Sequence, residues 1–341
     1  MRRNRRRKER TCLRAGRNGS VPGAKLRGFR GASPASSCAR CRFHRGPMTH
    51  PSRVSLVAAF AAVYIIWGST YLAISWAVAE IPPFLTAGGR FLGAGLVFVA
   101  LGVRAGAARP TARDWLTTAL IGLLMAVGGN GLVSWALQRV PSGVGALLVA
   151  MVPFWVALID WLRPRGGRPP GQVILGLALG FAGVALLVNP TDIAGARTLD
   201  LVGAGTIVVA SLLWATGSVY SRHASQPASH WLSAGMQMLG GGAVLMALSA
   251  TTGEFSTVDN ATHSPTPYGA WAYVAAFGSV AYGCYLWLLK ASTPAKAATY
   301  AYVNPVIALF LGYLLADETL TLWSMGCSAV VVAGVLLVVS R

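Results

Sequence analysis

Long apolar stretches joined by short loops make up this sequence from residue 54 to residue 339. A helix of about 20 largely apolar residues is long enough to cross the hydrocarbon core of a bilayer. Only 11% of the 341 residues are charged, whereas roughly a quarter are charged in an ordinary soluble domain. We therefore predict an all-α, polytopic membrane protein with ten transmembrane helices. The predicted spans are residues 54–78, 82–103, 115–137, 141–162, 171–188, 200–221, 229–252, 268–290, 294–315 and 322–339.

Residues 1–50 have a different composition from the rest of the chain, with 15 of its 29 Lys and Arg residues and a single acid. Like charge without apolar periodicity predicts a disordered tail, so the net charge of +19 does not indicate a nucleic-acid partner. Four interpretations are open. Translation starts at Met48, or the tail lies on anionic lipid headgroups, or it is a transit peptide, or it holds a metal through Cys38, Cys41 and His44.

The distribution of basic residues across the loops gives the expected orientation, because short cytoplasmic loops retain Lys and Arg. With the amino terminus inside, the predicted outer loops contain only Arg139 and Arg197. This bias predicts a multi-pass protein of the cell (inner) membrane with both termini in the cytoplasm. The predicted inner basic residues are Arg53, Arg104, Arg109, Arg113, Arg163, Arg165, Arg168, Arg222, Lys290, Lys296 and Arg341.

The two halves of the apolar region, residues 54–188 and 200–339, repeat a residue pattern. A shift of 152 residues places Trp135 on Trp287 and Pro153 on Pro305. A shift of 147 residues repeats a helical stripe near the start of each half: Tyr64, Trp67, Tyr71 and Ser75 recur as Ser211, Trp214, Ser218 and Arg222. Five spans per half would put the second copy upside down in the bilayer, which is the inverted repeat that alternating-access transporters use.

Three segments carry a family resemblance: Tyr64 to Ile74 (YIIWGSTYLAI), Pro82 to Gly95, and Tyr302 to Gly312 followed by Asp317 and Glu318. In this order they resemble the EamA-type members of the drug/metabolite transporter superfamily. The resemblance implies ten helices in two EamA repeats and the export of small metabolites or drugs. It also implies a central cavity lined by the first four helices of each repeat.

One segment departs from the family pattern. Members often end the fourth span with a Gly-Glu pair, where this chain has Asp160-Trp-Leu-Arg instead. If the acid contributes to coupling in relatives, only the second-half copy at Asp317-Glu318 could serve here. Glu80, Asp317 and Glu318 are predicted to lie at outer span ends, where a solvated interface role and proton coupling are both open.

Arg90 is the one fully charged side chain predicted well inside a span, roughly 12 Å from its start at the helical rise. An Arg at a helix centre costs about 2.5–3.5 kcal/mol on insertion scales, so it should face the bundle interior or a wet cavity and find an acceptor there. Two roles are open for it: a counter-charge for a substrate carboxylate or phosphate, or a structural clamp on backbone carbonyls.

Other candidate site residues are polar or aromatic. Asn130 lies among glycines and is expected to interrupt the third span, lining a path or bonding a neighbouring helix. Asn304 and Pro305 are expected to break the ninth span, with Tyr300 on the same face and a hinge at Pro305; Pro153 is expected to be a second kink. A mixed aromatic and hydroxyl face, which either contacts a solute or packs, consists of Trp67, Ser69, Thr70, Tyr71 and Trp214.

These features favour a secondary active transporter that exports small organic metabolites, amino-acid-like solutes or drugs by alternating access. The expected partners are a small-molecule solute and membrane lipid, without a cofactor; proton coupling and oligomeric state are open. The alternative is an integral membrane enzyme acting on a lipid-linked substrate. Such an enzyme usually needs a cluster of His, Cys or carboxylate groups at one membrane face, and the five histidines of this sequence lack acids at catalytic spacing. We therefore expect no enzymatic activity.

Overall fold

A computed structural model describes residues 52–140, 142–164, 166–187, 200–257, 265–315 and 321–340. Over these residues the chain is helical and contains no strand. The predicted tail, with Met48 and the candidate metal ligands, lies outside the described residues, as do Asp317 and Glu318.

The helices of the described residues follow the predicted apolar stretches closely. Two stretches contain wider, π-helical segments, here named π1 and π2. In chain order the helices are α1 Arg53–Val78, α2 Pro83–Arg104, α3 Ala112–Gly122, π1 Leu123–Gly131, α4 Leu132–Ala136, α5 Ser142–Val149, α6 Val152–Leu162, α7 Gly171–Leu187, α8 Leu201–His223, α9 His230–Thr251, a 3-10 turn Glu254–Thr257, α10 Pro265–Tyr273, π2 Val274–Gly278, α11 Ser279–Ala291, α12 Pro294–Ala298, α13 Tyr300–Leu315 and α14 Leu322–Val339.

Six helical stretches in the described part of the chain are long and apolar enough to cross a membrane. The other four predicted spans contain shorter helices. The six are Arg53–Thr70, Pro83–Arg104, Ala112–Ala136, Leu201–His223, His230–Thr251 and Pro265–Ala291. The structure is thus an all-helical membrane fold.

Short polar residues begin several of the helices by accepting the first free backbone amides. Thr111 and Asp114 form a reciprocal capping box at the start of α3. Asp200 caps α8, where the amide of Gly203, together with that of Val202, donates to its carboxylate and holds the pKa of Asp200 below its usual value. These caps fix where the long apolar helices begin.

Local structure differs from the sequence prediction at two places. The glycine-rich segment around Asn130 does not interrupt its helix: the chain stays helical and widens into π1. Pro305 does not break its helix either, because it lies inside α13, and the interruption falls at Thr299. Pro153 sits in the first turn of α6, just after a turn at residues 150–151.

Contacts between the two halves of the chain build the bundle. α2 packs along α9, and α7 packs along α14, where Gly176 and Gly183 allow close approach to Gly334 and Val331. α1 lies against α10, α11 and α13, while α8 lies against π1, α4, α5 and α6. α3 and π1 contact α9, and π2 contacts α2. Every one of these pairings joins a helix before residue 188 to one after residue 200.

Candidate functional site

Arg90 is a buried cation on α2, with only 7% of its surface exposed. Its Nη2 donates to Oδ1 of Asn130 at 2.7 Å, and its Nε has no hydrogen-bond partner. Among the described residues no carboxylate forms an ion pair with it. A buried charge normally needs a countercharge or a full set of hydrogen bonds. Arg90 therefore retains both a free donor and an uncompensated charge.

Asn130 is carried by π1, which places it opposite Arg90. Its Nδ2 reaches the backbone oxygen of Met125 at 3.5 Å, five residues earlier, within the wide turn. Two glycines before Asn130 let α8 approach: a Cβ on Gly129 would lie 2.5 Å from the ring of Trp214, and one on Gly128 would lie 2.8 Å from Leu213. π-helical turns are frequent at functional sites. The glycines thus bring π1 and α8 into contact beside Arg90. We refer to Arg90 and Asn130 as the central pair.

Five aromatic side chains from four helices meet next to the central pair. Trp67 is 4.6 Å from Tyr300, 5.2 Å from Tyr285 and 5.7 Å from Trp214 between ring centroids. Trp214 is in turn 6.2 Å from Tyr282. These separations are typical of edge-to-face aromatic packing. We call this set, Trp67, Trp214, Tyr282, Tyr285 and Tyr300, the aromatic cluster.

Phe91 connects the cluster to the central pair. Its ring lies 5.9 Å from that of Tyr282, and the guanidinium carbon of Arg90 is 4.7 Å from the Phe91 centroid. A cation over an aromatic face is stabilised by the ring quadrupole. The charge of Arg90 and the aromatic cluster are therefore parts of one contiguous region.

Asn304 is a further polar side chain with unsatisfied groups in this region. It is 1% exposed, and neither Oδ1 nor Nδ2 has a hydrogen-bond partner. It follows Tyr300 by one helical turn on α13, and Ile307, three residues later, packs against Gly68 of α1. An unsatisfied buried amide costs about 1–3 kcal/mol per group. Such a residue needs a ligand or water to account for it.

The remaining predicted site residues of α1 are bound within the protein. Ser69 Oγ shares a 2.6 Å hydrogen bond with the hydroxyl of Tyr273 and donates to the Ile66 carbonyl. Thr70 Oγ1 donates to the Trp67 carbonyl of its own helix. The side chain of Tyr71 lies outside what the structure describes. Of the nine predicted substrate-binding residues, the structure brings together Arg90 with Asn130, and Trp67 with Trp214 and Tyr300.

A second polar pair, Gln237 and Tyr282, was not among the predicted site residues. The Tyr282 hydroxyl donates to Oε1 of Gln237 at 3.3 Å, and both residues are fully buried. Gln237 lies 147 residues after Arg90, and Tyr282 lies 152 residues after Asn130. These are the two shifts that align the halves of the sequence, so extending them to the central pair would have identified both residues.

One end of the bundle, which we call the cavity end, holds a cavity of about 440 Å³. Glu254 reaches from the 3-10 turn to the start of α2, where its carboxylate accepts from the amides of Phe84 and Leu85 at 3.2 and 2.7 Å. Asp200 and Arg139 form an ion pair at 3.6 Å near the same end. The cavity is lined by Val78, Ala79, Glu80, Ile81, Pro82, Pro83, Phe84, Trp135, Gln138, Thr252 and Glu254.

The other end of α8, about 34 Å away along its 23 residues, is densely bonded. Arg222 donates to the carbonyls of Leu289 and Ser292 at the end of α11. Asp160 of α6 lies 3.7 Å from His223 and also bonds Arg163. We call this the Arg222 end. Here the last turn of α8 is tied to the ends of two other helices.

Comparison with known proteins identifies the family of the chain. The EamA-like transporter family matches residues 54–189 and again residues 201–340. The Escherichia coli (strain K12) uncharacterized inner membrane transporter YedA is 39% identical over 285 residues, covering 83% of this chain and 90% of the relative. A chloroplastic WAT1-related protein of Arabidopsis thaliana is 28% identical, covering 81% and 67%.

A solved crystal structure has the same fold, with a TM-score of 0.68 at 19% identity, and the match covers 85% of this chain and 98% of the other. Since the two family matches together cover most of the chain and the bundle is all-helical with several membrane-length helices, the protein is a membrane transporter that belongs to the EamA-like transporter family.

Proposed function

We propose that this protein is a secondary active transporter that exports a small organic solute with an anionic group across the cytoplasmic membrane. The observation that carries the proposal is Arg90, a buried cation with a free Nε and no described carboxylate partner. A carboxylate or phosphate of the solute would supply the missing acceptor and countercharge.

The proposed architecture is ten spans in two inverted repeats, residues 54–188 and 200–339, with both termini in the cytoplasm. The double family match supports it. So do the main helix contacts, because exchanging the first five spans for the second five maps them onto one another: α1 with α11 and α13 corresponds to α8 with π1 and α6. The π1 and π2 segments also fall at matching positions of the third and eighth spans.

Within this architecture the central pair lies between the two ends of the bundle and forms the cationic, anion-binding pole of the site. Asn130 holds the Arg90 guanidinium by its carbonyl oxygen. Trp67, Trp214 and Tyr300 offer aromatic faces to the apolar body of the solute. Asn304 supplies an amide whose donor and acceptor are both unused. Ser69, Thr70 and Tyr71 of α1 remain proposed members of the site.

Alternating access in such a bundle requires two ends that open in turn. Pro153 and Pro305 are the proposed hinges, because each sits a few residues after an interruption of its helix. Proton exchange and the solute gradient are the two candidate driving forces.

The anion site is tested with a flux panel in inside-out vesicles containing the full chain. The panel compares monocarboxylates, amino acids, organic phosphates and neutral analogues of each, and scores wild type against Arg90→Ala. Loss of one or two charge-assisted hydrogen bonds, about 1.5–3 kcal/mol each, should lower transport of the anionic solute by about tenfold or more.

The matched control for this test is Arg104→Ala, at the exposed end of the same helix, which should transport as wild type. Both variants are checked for insertion and for a single peak in size-exclusion chromatography. Undiminished flux of every anion through a correctly inserted Arg90→Ala protein would remove Arg90 from the site and overturn the proposal.

We also propose that residues 1–47 are dispensable for transport. A chain that begins at Met48 should insert and transport at the full rate, measured in the same vesicles at equal protein density. Loss of transport from an inserted, shortened protein would instead assign the basic segment a role in function.

A further inference from the structure

We propose that Gln226 is a positioning residue that closes the Arg222 end of the transporter and links that closure to the central pair. The inference rests on the proposed alternating-access function. Gln226 lies in the short loop between α8 and α9, outside the residues that would contact the solute.

Both ends of the Gln226 amide are used to join helices. Its Oε1 accepts from the Ser233 hydroxyl and from Nε2 of Gln237 at 3.0 Å, both on α9. Its Nε2 donates to the carbonyl and the hydroxyl of Ser221 in the last turn of α8. We call these four residues, Ser221, Gln226, Ser233 and Gln237, the Gln226 clasp.

The clasp continues inward to the solute region. Gln237 accepts from the Tyr282 hydroxyl at 3.3 Å, and Tyr282 stacks edge-on against Phe91, the residue after Arg90. A continuous series of contacts therefore runs from the loop at one end of the bundle to the central pair. Movement of α2 or π1 around a bound solute would displace Tyr282 and thereby change the hydrogen bonds of the clasp.

At the cavity end, the residue that corresponds to Gln226 has a small side chain beside a cavity. Ala79 lies 147 residues before Gln226, and it lines the 440 Å³ cavity. Thr86 lies 147 residues before Ser233, and its hydroxyl donates to the Ile81 carbonyl just before its own helix, whereas the Ser233 hydroxyl donates to Gln226. The cross-helix bond of Thr86 uses its backbone carbonyl, which accepts from Trp271 of α10. The Gln226 amide thus occupies space at the Arg222 end. At the cavity end the smaller side chain of Ala79 leaves the corresponding space open. In this proposal the Gln226 side chain, together with the bonds of Arg222 and Asp160, favours closure at the Arg222 end over the cavity end.

The test replaces Gln226 by the residue that its counterpart already has. Gln226→Ala is made in the full chain with the five native cysteines changed to alanine and one reporter added. The first reporter is Ala234→Cys, fully buried on α9 beside the clasp; the second is Gln138→Cys, exposed in the cavity. A membrane-impermeant maleimide is applied to right-side-out and inside-out vesicles without any solute.

We expect Gln226→Ala to raise the labelling rate at position 234 from the cytoplasmic side by about tenfold and to lower the rate at position 138 from the outside, because loss of the clasp shifts the population toward the inward-open state. Ser233→Ala removes one member of the clasp with little change of volume and should act in the same direction with a smaller shift. Gln172→Ala removes an amide that joins α7 to Leu337 and Ser340 and bonds no member of the clasp, so it should change neither rate.

Unchanged labelling at both reporters in inserted Gln226→Ala and Ser233→Ala proteins would overturn the proposal. So would a rise at position 234 without a fall at position 138, because that indicates local loosening and not a change of state. The labelling needs no transported solute, so its result is separable from the flux of Arg90→Ala: either proposal can fail while the other stands.

Discussion

The two halves of the chain place different chemistry at corresponding positions. In the first half, Arg90 donates to Asn130 and keeps an unused Nε. In the second half, Tyr282 donates to Gln237, and the Gln237 amide is bonded on both sides. One pair is charged and incompletely bonded, and the other is neutral and satisfied.

This difference shows how two copies of one fold can take separate roles, one in binding and one in closure. Unsatisfied polar groups in a buried region indicate a place that a ligand completes, whereas a satisfied network holds helices in one arrangement. Of these two pairs, Arg90 and Asn130 would thus contribute the charge that binds the solute, and Gln237 and Tyr282 would contribute to closure. Each prediction below changes one side of this comparison.

The largest expected effect comes from the crossing of α3 and α9. A Cβ on Gly122 would lie 2.1 Å from the Gln237 carbonyl oxygen, a backbone atom that cannot rotate away. Gly122→Ala should therefore separate the two helices and abolish accumulation of folded protein, measured as the monodisperse fraction after detergent extraction. The corresponding residue of the second half, 152 positions later, is Val274, so this close approach is a property of one crossing only.

Gly326→Ala is the matched control, because a Cβ there meets nothing within 4 Å on α14. It should extract as well as wild type, with a small gain from helix propensity. Normal yields of folded Gly122→Ala protein would show that the α3–α9 contact is looser than the structure has it.

The next largest effect should come from giving the central pair its own countercharge. Asn130→Asp would put a carboxylate at the position of the Asn130 oxygen, 2.7 Å from Arg90 Nη2. The internal ion pair would compete with an anionic solute, so flux of that solute should fall by about tenfold or more while thermal stability is kept or raised. Wild-type flux together with a raised melting temperature would separate Arg90 from solute binding.

The sequence alone predicts much of this organisation, and different features of the sequence predict different parts of it. Apolar length and loop charge predict a helical membrane protein, and the isolated charge of Arg90 predicts a buried site, because both depend on composition along one helix. The partner of Arg90 depends on how α2 and π1 are rotated against each other, which no single helix specifies. The π-helical winding around Asn130 and the continuous helix through Pro305 escape prediction for a similar reason: neighbouring helices decide how freed backbone groups are satisfied.

Asn304→Leu should affect stability and transport differently, because both polar atoms of the buried Asn304 side chain are without hydrogen-bond partners. The substitution removes two buried polar atoms without partners and keeps a similar volume, so the melting temperature should stay level or rise. Transport should nevertheless fall several-fold if the amide contacts the solute, by about 1 kcal/mol for each lost hydrogen bond. A lower melting temperature would mean that Asn304 is bonded within the protein, and would remove it from the site.

The smallest expected effect concerns the neutral pair. Tyr282→Phe deletes one hydroxyl whose bond to Gln237 is long, at 3.3 Å, and keeps the ring that packs against Phe91 and Trp214. A neutral hydrogen bond contributes about 1 kcal/mol, so solute affinity should change by less than about threefold and the melting temperature by a few degrees at most. Solute affinity is measured from the concentration dependence of flux in vesicles. A drop as large as that of Arg90→Ala would show that the pair of Gln237 and Tyr282 also binds the solute directly, and the division between a binding pair and a closing pair would no longer hold.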